Sequence, residues 1–332
     1  MDRSSCAHAM TRMCQVSIAG LRGSWRRVAG GVAVMLVALS ASATVSCAAT
    51  IGISMIPPVA FTQMLHDRIA EHAKSRGVDT QFVYAPEGAG AQQVAQIRAF
   101  IAAKVDALLV MPVDAAANAT ITRLAQEADI PLVYINSGPR EDWFAGRVAF
   151  VLPNDLVAGR LQMRKLAQML DGTGSVAIVS GHPTHDGSIL RTQGVKEVMK
   201  EFPDLRIVAE GNADWDRVKA RNLVAGWLAQ GLSITAIAAN NDEMAIGAAE
   251  AVEAAGIPAG RILIGGVDAT ADGIEAMQRK RLAVTIHQDA AIQGRRAVDD
   301  ALALARHEAV TQYDWAPFEL VTDRMSTAHF AR

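Results

Sequence analysis

Two polar residues, Asn241 and Asp268, lie where apolar, strand-like runs of the sequence end. Asp268 ends the run ILIGGVD (262–268), and its carboxylate can accept hydrogen bonds from two adjacent hydroxyl groups of one ligand. The amide of Asn241 can both donate to and accept from a hydroxyl group. The alternative role for each residue is to cap the helix that follows, and Asp242 could do so in place of Asn241. The residues themselves leave both roles open.

Three further residues could contribute to a site for a ligand that has both hydroxyl groups and an apolar face. Arg191 lies near a predicted helix start, either as a solvated surface residue or with its guanidinium group turned into a cleft. Trp215 directly follows a predicted strand, where its ring could cover the C–H face of a polyol or pack in the core. Phe61 follows the first predicted strand, with the same two alternatives on the opposite face.

Motifs that indicate an enzyme are mostly missing. No Gly-x-Gly-x-x-Gly motif opens the first helix, and the sequence contains no Walker loop and no Gly-x-Ser-x-Gly motif. His182, His185 and Asp186 form a fragment of a metal site without a further strong ligand, so we interpret them as loop residues near a cleft. We therefore predict a protein without catalytic residues, metal or cofactor.

The elements that carry these residues alternate between buried strands and amphipathic helices. Strand-like runs in the first half of the chain are 50–55, 80–85, 106–111 and 131–136. Runs in the second half are 147–152, 175–181, 205–211, 234–240, 262–268 and 282–288. A helix is predicted over 61–76, and others follow most of the strands. Apolar strands between helices indicate parallel sheets covered on both faces, so we predict an α/β protein with two doubly wound lobes.

We expect each lobe to be discontinuous in sequence, because the predicted helix over 290–307 would pack back on the first lobe. The predicted N-terminal lobe comprises residues 49–151 and 289–312, and the C-terminal lobe comprises 152–288 and 313–332. Ligands of open parallel sheets bind beyond the C-terminal ends of the strands. Most of these ends are polar: Ser54, Asn136, Ser137, Ser180, Asp214 to Arg217, Asn241, Asp268 and Gln288.

Residues 1–48 have the pattern of a cleavable export signal. Arg26 and Arg27 precede an apolar run over 28–43 that ends in small residues, and Cys47 also permits a lipid anchor. All three cysteines lie in this segment, so no disulfide is expected after it. The chain has 32 basic and 34 acidic side chains, and this segment contains five arginines and one aspartate. After its removal, 27 basic and 33 acidic side chains remain. The resulting charge of −6 excludes a broad basic surface for nucleic acid.

Several short strings, in combination and in spacing, resemble those of a known family. They are DWDR (214–217), NNDEMAIGA (240–248), GGVDATADG (265–273) and TIHQDA (285–290). They resemble the periplasmic sugar-binding proteins of the ribose-binding type, over about residues 50 to 310. AGRLQM (158–163) and RTQGVKEVM (191–199) are most similar to the subgroup that binds myo-inositol and related cyclitols.

The resemblance implies a periplasmic binding protein of type 1, in which a hinge joins two lobes that close on a ligand. It implies a periplasmic, monomeric receptor that delivers a sugar or cyclitol to an ABC import permease. The alternative is an accessory protein that presents its closed form to a membrane signalling receptor. The family's ligand contacts in the second lobe fall on Arg191, Trp215, Asn241, Asp268 and Gln288.

The first lobe departs from the family pattern. An Asn and two aromatic residues usually follow the first strand, whereas PPVAF keeps only Phe61, with Pro58 and Ala60 in the other positions. Met111 replaces an Asn that commonly ends the third strand, and Asn136 with Ser137 replaces an Asp-Arg pair after the fourth. We include Phe61, Asn136 and Ser137 in the predicted site, and we expect a ligand that is less hydroxylated, substituted or larger.

Overall fold

A parallel sheet of six strands forms the first lobe of the protein. The computed structural model describes residues 48–139 and 143–321. The strands lie in the order β11 (Tyr313–Ala316), β5 (Val148–Pro153), β4 (Leu132–Ile135), β3 (Ala107–Val110), β1 (Thr50–Met55) and β2 (Asp79–Tyr84). Nearly every residue of the inner strands β1, β3, β4 and β5 is buried, which explains their almost continuous apolar sequences.

Helices cover both faces of this sheet. They are α1 (Phe61–Ser75), α2 (Gly90–Ala103), α3 (Asn118–Glu127) and α9 (Ala290–Ala305). Helices α1 and α9 pack together on one face, and α2 and α3 bury apolar side chains on the other. Helix α9, which follows the last strands of the second lobe in sequence, therefore packs on the first-lobe sheet.

The second lobe is built on a parallel sheet of four strands. Their order is β7 (Leu205–Asn212), β6 (Gly174–Ser180), β8 (Ala236–Ala239) and β9 (Leu263–Gly265). Strand β10 (Thr285–Gln288) continues this sheet through isolated parallel bridges and pairs antiparallel with β12 (Phe318–Val321). The helices of this lobe are α4 (Asp155–Met169), α5 (Asp186–Met199), α6 (Arg217–Ala229), α7 (Asp242–Ala254) and α8 (Ala271–Gln278).

The chain crosses between the lobes at positions that differ from the predicted boundaries. Strand β5 extends to Pro153, and Tyr313 pairs with Phe150 in the first sheet, although residues from 313 on are predicted in the second lobe. The chain leaves the first sheet only at Pro317, after which β12 pairs with β10. A four-residue strand with a half-exposed tryptophan has no local pattern that assigns it to either sheet.

The predicted export signal, apart from Ala48, lies outside the described residues, as do residues 322–332 of the predicted C-terminal lobe. Among residues 48–139 and 143–321, no helix is long and apolar enough to cross a membrane.

Candidate ligand-binding site

A cavity of about 340 Å³ lies between the two lobes. Most of its wall is formed by residues at or just after the C-terminal ends of strands from both sheets, the edge at which open parallel sheets bind ligands. Seven of the eight predicted site residues line it: Phe61, Asn136, Arg191, Trp215, Asn241, Asp268 and Gln288.

Arg191 is the centre of a buried hydrogen-bond network on the second-lobe wall. Its Nε donates to Asp155 at 2.8 Å, and its Nη2 donates to Gln288 at 2.8 Å. Its Nη1 donates to the carbonyl of Asn240 at 2.7 Å and to Asp268 at 3.3 Å. Burial opposes the charge of Arg191, but the carboxylates of Asp155 and Asp268 outweigh it and raise the pKa of the guanidinium. The alternative of a solvated surface arginine is therefore wrong.

Close packing of two helices holds Arg191 in place. Gly159 of α4 lies so near α5 that a methyl group there would collide with the carbonyl of Arg191. Gly194, one turn further along α5, lies equally close to the backbone of α4 at Leu156. Larger side chains would separate the helices and withdraw the guanidinium from Asp155, which stands in the first turn of α4.

Asp268 does not cap the next helix, so the capping alternative for this residue is wrong. The cap of α8 is Thr270, whose hydroxyl accepts from the N–H of Gly273 at 3.1 Å. Asp268 instead faces the cavity, with a backbone φ of 113° that is rare outside glycine. Burial raises the pKa of its carboxyl group, and the charge of Arg191 acts in the opposite direction.

Asn241 combines both of its alternative roles. Its side-chain oxygen caps α7 by accepting from the N–H of Met244 at 2.9 Å, and the residue also lines the cavity. The cap uses one lone pair of the oxygen, so Asn241 can offer a ligand its amide N–H groups and the second lone pair. Asp242 does not cap the helix. It is buried and accepts hydrogen bonds from Thr270 and Thr285.

The two aromatic residues of the predicted site also combine a core role with a place in the wall. The ring of Trp215 covers Gly181 so closely that a methyl group there would collide with it, and it meets the ring of His185 edge-on at 5.2 Å. The guanidinium of Arg191 lies 5.8 Å from the centre of the tryptophan ring. Phe61 is buried in the first-lobe core and lines the cavity from the opposite side.

The structure does not bring Ser137 to this cavity, in contrast to Asn136. Ser137 lines a neighbouring pocket of about 10 Å³, which has room for about one water molecule. Asn136 has a φ of 68°, and the N–H of Ser137 donates to the carbonyl of Ile135 at 2.8 Å. This tight turn directs two consecutive side chains to different cavities. Met111 and Ala60, two positions that depart from the family pattern, line the main cavity.

Glu87 is a residue of the cavity wall that the sequence analysis missed. It follows β2 in the loop Pro86–Glu87, and polarity after that strand was a signal that could have found it. Burial, together with the nearby carboxylate of Asp214, raises the pKa of Glu87 to about 7. His185 of the second lobe lies opposite, with its Nε2 4.0 Å from Oε1 of Glu87.

His185 is a neutral side chain in this setting. Burial, followed by the charges of Arg191 and His182, lowers the pKa of His185 to about 3. Its Nδ1 accepts a hydrogen bond from the N–H of Gly187 at 3.0 Å, so the neutral ring carries its proton on Nε2. Across the described ranges, no group of three or more His, Cys, Asp or Glu side chains is arranged to hold a metal ion.

Residues 53–309 match the family model of the periplasmic binding protein domain, and the chain belongs to this family. A protein of Rhizobium meliloti named for rhizopine binding is 39% identical over 295 residues, covering 86% of this chain and 95% of its own. The ribose import binding protein of Bacillus subtilis is 28% identical over 265 residues, covering 80% of this chain and 84% of its own.

Among solved structures, an ABC transporter solute-binding protein from Bacillus halodurans with bound myo-inositol is 36% identical. It superposes with a TM-score of 0.77 over 82% of this chain and 94% of its own. These findings confirm the predicted family and fold class. They place the chain among solute-binding proteins of transport systems, not among enzymes.

Proposed function

We propose that the protein is an exported receptor that captures a sugar or a cyclitol, of which myo-inositol is an example, between its two lobes. One observation carries the proposal: Arg191, Asn241, Asp268 and Gln288 converge beside the ring of Trp215 on one wall of the cavity. These side chains supply the donors and acceptors that hydroxyl groups require, and the ring can cover an apolar C–H face. The relatives named for rhizopine and ribose, and the structure with bound myo-inositol, support a polyol ligand.

The volume of the cavity favours a small, single-ring ligand. Pockets for small molecules measure about 300 to 1,000 Å³, and about 340 Å³ is near the lower end of this range. Met111 adds an apolar surface to the first-lobe wall, which suits a ring that bears a methyl group or lacks one hydroxyl group.

Binding would act by bridging the lobes. A ligand that contacts Phe61 and Asn136 of the first lobe and Asp268 of the second stabilises the closed arrangement relative to an open one. We propose that the closed form docks on an ABC import permease. The leader-like sequence of residues 1–48 supports a periplasmic location, and Cys47 is the residue to which a lipid anchor would attach.

The proposal is tested by thermal unfolding and calorimetry on the chain from residue 49 onward. A panel of myo-inositol, its stereoisomers, their amino and methyl derivatives, xylitol and ribose is added at micromolar to millimolar concentration. We expect at least one cyclitol to raise Tm by mass action, and we expect Asp268→Ala to abolish the rise. Unchanged Tm and no heat of binding across the whole panel would overturn the proposal.

A further inference from the structure

Glu87 of the first lobe and His185 of the second approach each other beside the small pocket of about 10 Å³. Residues of both lobes line this pocket, which has room for about one water molecule, so the lobes almost touch here. Nε2 of His185 lies 4.0 Å from Oε1 of Glu87. The two side chains are only 10% and 19% exposed, so little solvent reaches the gap between them.

The two atoms that approach each other are a hydrogen-bond donor and an acceptor. Nδ1 of His185 accepts from the N–H of Gly187 at 3.0 Å, so the neutral ring carries its proton on Nε2. Oε1 of Glu87 is buried and has no hydrogen-bond partner. Their separation of 4.0 Å exceeds a hydrogen bond by about 1 Å. A small further approach of the lobes would therefore give Oε1 its missing partner.

The surroundings of the pair favour the uncharged form of both side chains. Burial, followed by the charges of Arg191 and His182, lowers the pKa of His185 to about 3. Burial and the carboxylate of Asp214 raise the pKa of Glu87 to about 7. Asp214 belongs to the second lobe, so opening of the lobes would withdraw it from Glu87. Arg191 and His182 lie in the same lobe as His185 and would stay beside it.

The other charged groups around the pair do not compensate an ionised Glu87. The other carboxylates that the described residues contribute to the walls of the two cavities are Asp114, Asp186, Asp214, Asp216, Glu243 and Asp268. Arg191 is the basic residue of these walls, and its guanidinium is held by Asp155 and Gln288 at 2.8 Å each. A proton is therefore the means by which the buried carboxyl group of Glu87 can lose its charge.

The ligand-binding wall is connected to this pair through Trp215. The ring of Trp215 lines the main cavity and meets the imidazole of His185 edge-on at 5.2 Å. Asp214, the preceding residue, is the carboxylate that acts on Glu87. A ligand that stacks on Trp215 would therefore also hold the second-lobe groups that surround Glu87.

We propose that His185 and Glu87 form a hydrogen bond between the lobes when the cavity closes on its ligand, and that Glu87 takes up one proton as it does so. Nε2–H of His185 would donate to Oε1, and a proton from solvent would bind the other carboxyl oxygen. Both partners are then uncharged, so the contact can be buried without a counter-ion. The inference rests on the proposed function, because closure on the ligand supplies the movement.

The direction of the pH dependence follows from the difference between the two forms. In the open form the carboxyl group of Glu87 is solvated and has a pKa of about 4.3. In the closed form its pKa is raised to about 7. Closure is therefore favoured at low pH, and this advantage is lost as pH rises through about 7. We expect the affinity of the wild-type protein for its ligand to fall about tenfold or more from pH 5.5 to pH 8.

Calorimetry in buffers of different ionisation enthalpy measures the proton directly. The probe is myo-inositol, or the member of the panel above that binds most tightly. We expect the wild-type protein to take up about one proton per ligand bound at pH 6 and almost none at pH 8.5. This measurement needs no variant, so it remains decisive if a variant folds poorly.

Two variants identify the residues of the pair. Glu87→Gln keeps an acceptor and cannot titrate, so we expect no proton uptake and an affinity that changes less than about threefold from pH 5.5 to pH 8. At pH 8 it should therefore bind about tenfold more tightly than the wild-type protein. His185→Asn can still cap α5 but is too short to reach Glu87, so we expect about three- to tenfold weaker binding at pH 5.5.

Asp300→Asn is the matched control. Burial raises the pKa of Asp300 to about 6, but this residue of α9 belongs to the wall of neither cavity. Closure should leave its surroundings unchanged, so we expect this variant to keep the proton uptake and the pH dependence of the wild-type protein.

The outcomes separate the inference from the proposed function. Ligand binding without proton uptake at pH 6 would overturn the inference and leave the proposed function in place. Full uptake in Glu87→Gln would show that another group takes the proton, and it would overturn the role of Glu87. Unchanged affinity in His185→Asn at pH 5.5 would overturn the hydrogen bond. Failure of every probe to bind would overturn the proposed function and, with it, the inference.

Discussion

Arg191 contacts Asp155 at 2.8 Å through Nε and Asp268 at 3.3 Å through Nη1, and the two carboxylates have different roles. Asp155 stands in the first turn of α4 and does not line the cavity, whereas Asp268 does. The shorter contact therefore anchors the guanidinium to the fold. The longer one leaves Asp268 as the less tightly held carboxylate, in position to receive a ligand.

Substitution of the two carboxylates should separate binding from stability. We expect Asp268→Ala to abolish detectable binding, since loss of an acceptor for two ligand hydroxyls in a dry cavity costs about 3 kcal/mol or more. We expect Asp155→Ala to lower the free energy of unfolding by about 3 kcal/mol, because it removes one partner of a buried ion pair. Calorimetry measures the effect on binding, and denaturant unfolding measures the effect on stability.

Asp268→Asn is the control for Asp268→Ala. It keeps the side-chain shape at the strained φ of 113°, so it tests the role of the carboxylate even if the alanine variant folds poorly. Less than about threefold weaker binding in both Asp268 variants would contradict the role of Asp268.

The ring of Trp215 should contribute apolar contact area to binding. We expect Trp215→Ala to weaken binding by about 1–3 kcal/mol, and we expect tryptophan fluorescence of the wild-type protein to change when ligand is added. Gly181→Ala tests the position of the ring without removing it, because the added methyl group would displace the tryptophan. Normal affinity in both variants, with an unchanged spectrum in a saturated complex, would mean that the ring serves only the core.

Met111 should set a preference for ligands with an apolar position. Its side chain is buried and lines the cavity, where the family commonly has an Asn. We expect Met111→Asn to lower the affinity for a methylated or deoxy analogue relative to the fully hydroxylated ring by about three- to tenfold, since burial of one CH₂ group contributes about 0.8 kcal/mol. Met111→Leu, which keeps the surface apolar, should retain the wild-type ratio. An equal ratio in all three proteins would remove Met111 from the determinants of specificity.

The stability of the ligand-free protein should fall as pH rises from about 4 to about 7 through the titration of Asp242. Burial raises the pKa of Asp242 to about 7, against hydrogen bonds from Thr285 and Thr270 that lower it. The folded protein then holds a proton that the unfolded chain releases near pH 4, so the stability present at low pH is lost up to pH 7. The slope for one proton is at most about 1.4 kcal/mol per pH unit.

Urea unfolding at several pH values, in the wild-type protein and in Asp242→Asn, measures this slope. Burial also raises the pKa of Glu87, Asp268 and Asp300, whereas it lowers the pKa of His185 to about 3, which makes stability rise with pH below about 6.5. These contributions should remain in the variant, so the difference between the two proteins is the quantity to compare. Parallel pH profiles would show that Asp242 is ionised in the folded protein throughout this range.

The sequence by itself was enough to predict the positions of the strands and helices and the family of the protein. The first strand is predicted over 50–55 and is observed as Thr50–Met55, because a buried parallel strand requires an apolar run that can be read locally. Short strings at the strand ends indicated the family, and the matched family model confirms it. Residues at the ends of parallel strands meet at one sheet edge by geometry, so Asn241, Asp268 and Gln288 could be placed together from their sequence positions. Arg191 lies within α5, and only the family resemblance assigned it to the same wall.

Only the tertiary structure decided what those side chains do, because their partners are far away along the chain. Arg191 contacts Asp155, Asp268 and Gln288, which are 36, 77 and 97 residues from it. No local pattern distinguishes such a buried network from a solvated arginine. The raised pKa of Glu87 likewise depends on burial and on Asp214, which is 127 residues away along the chain. Charge balance in a cavity depends on long-range proximity and burial, and these exist only once the two lobes are folded.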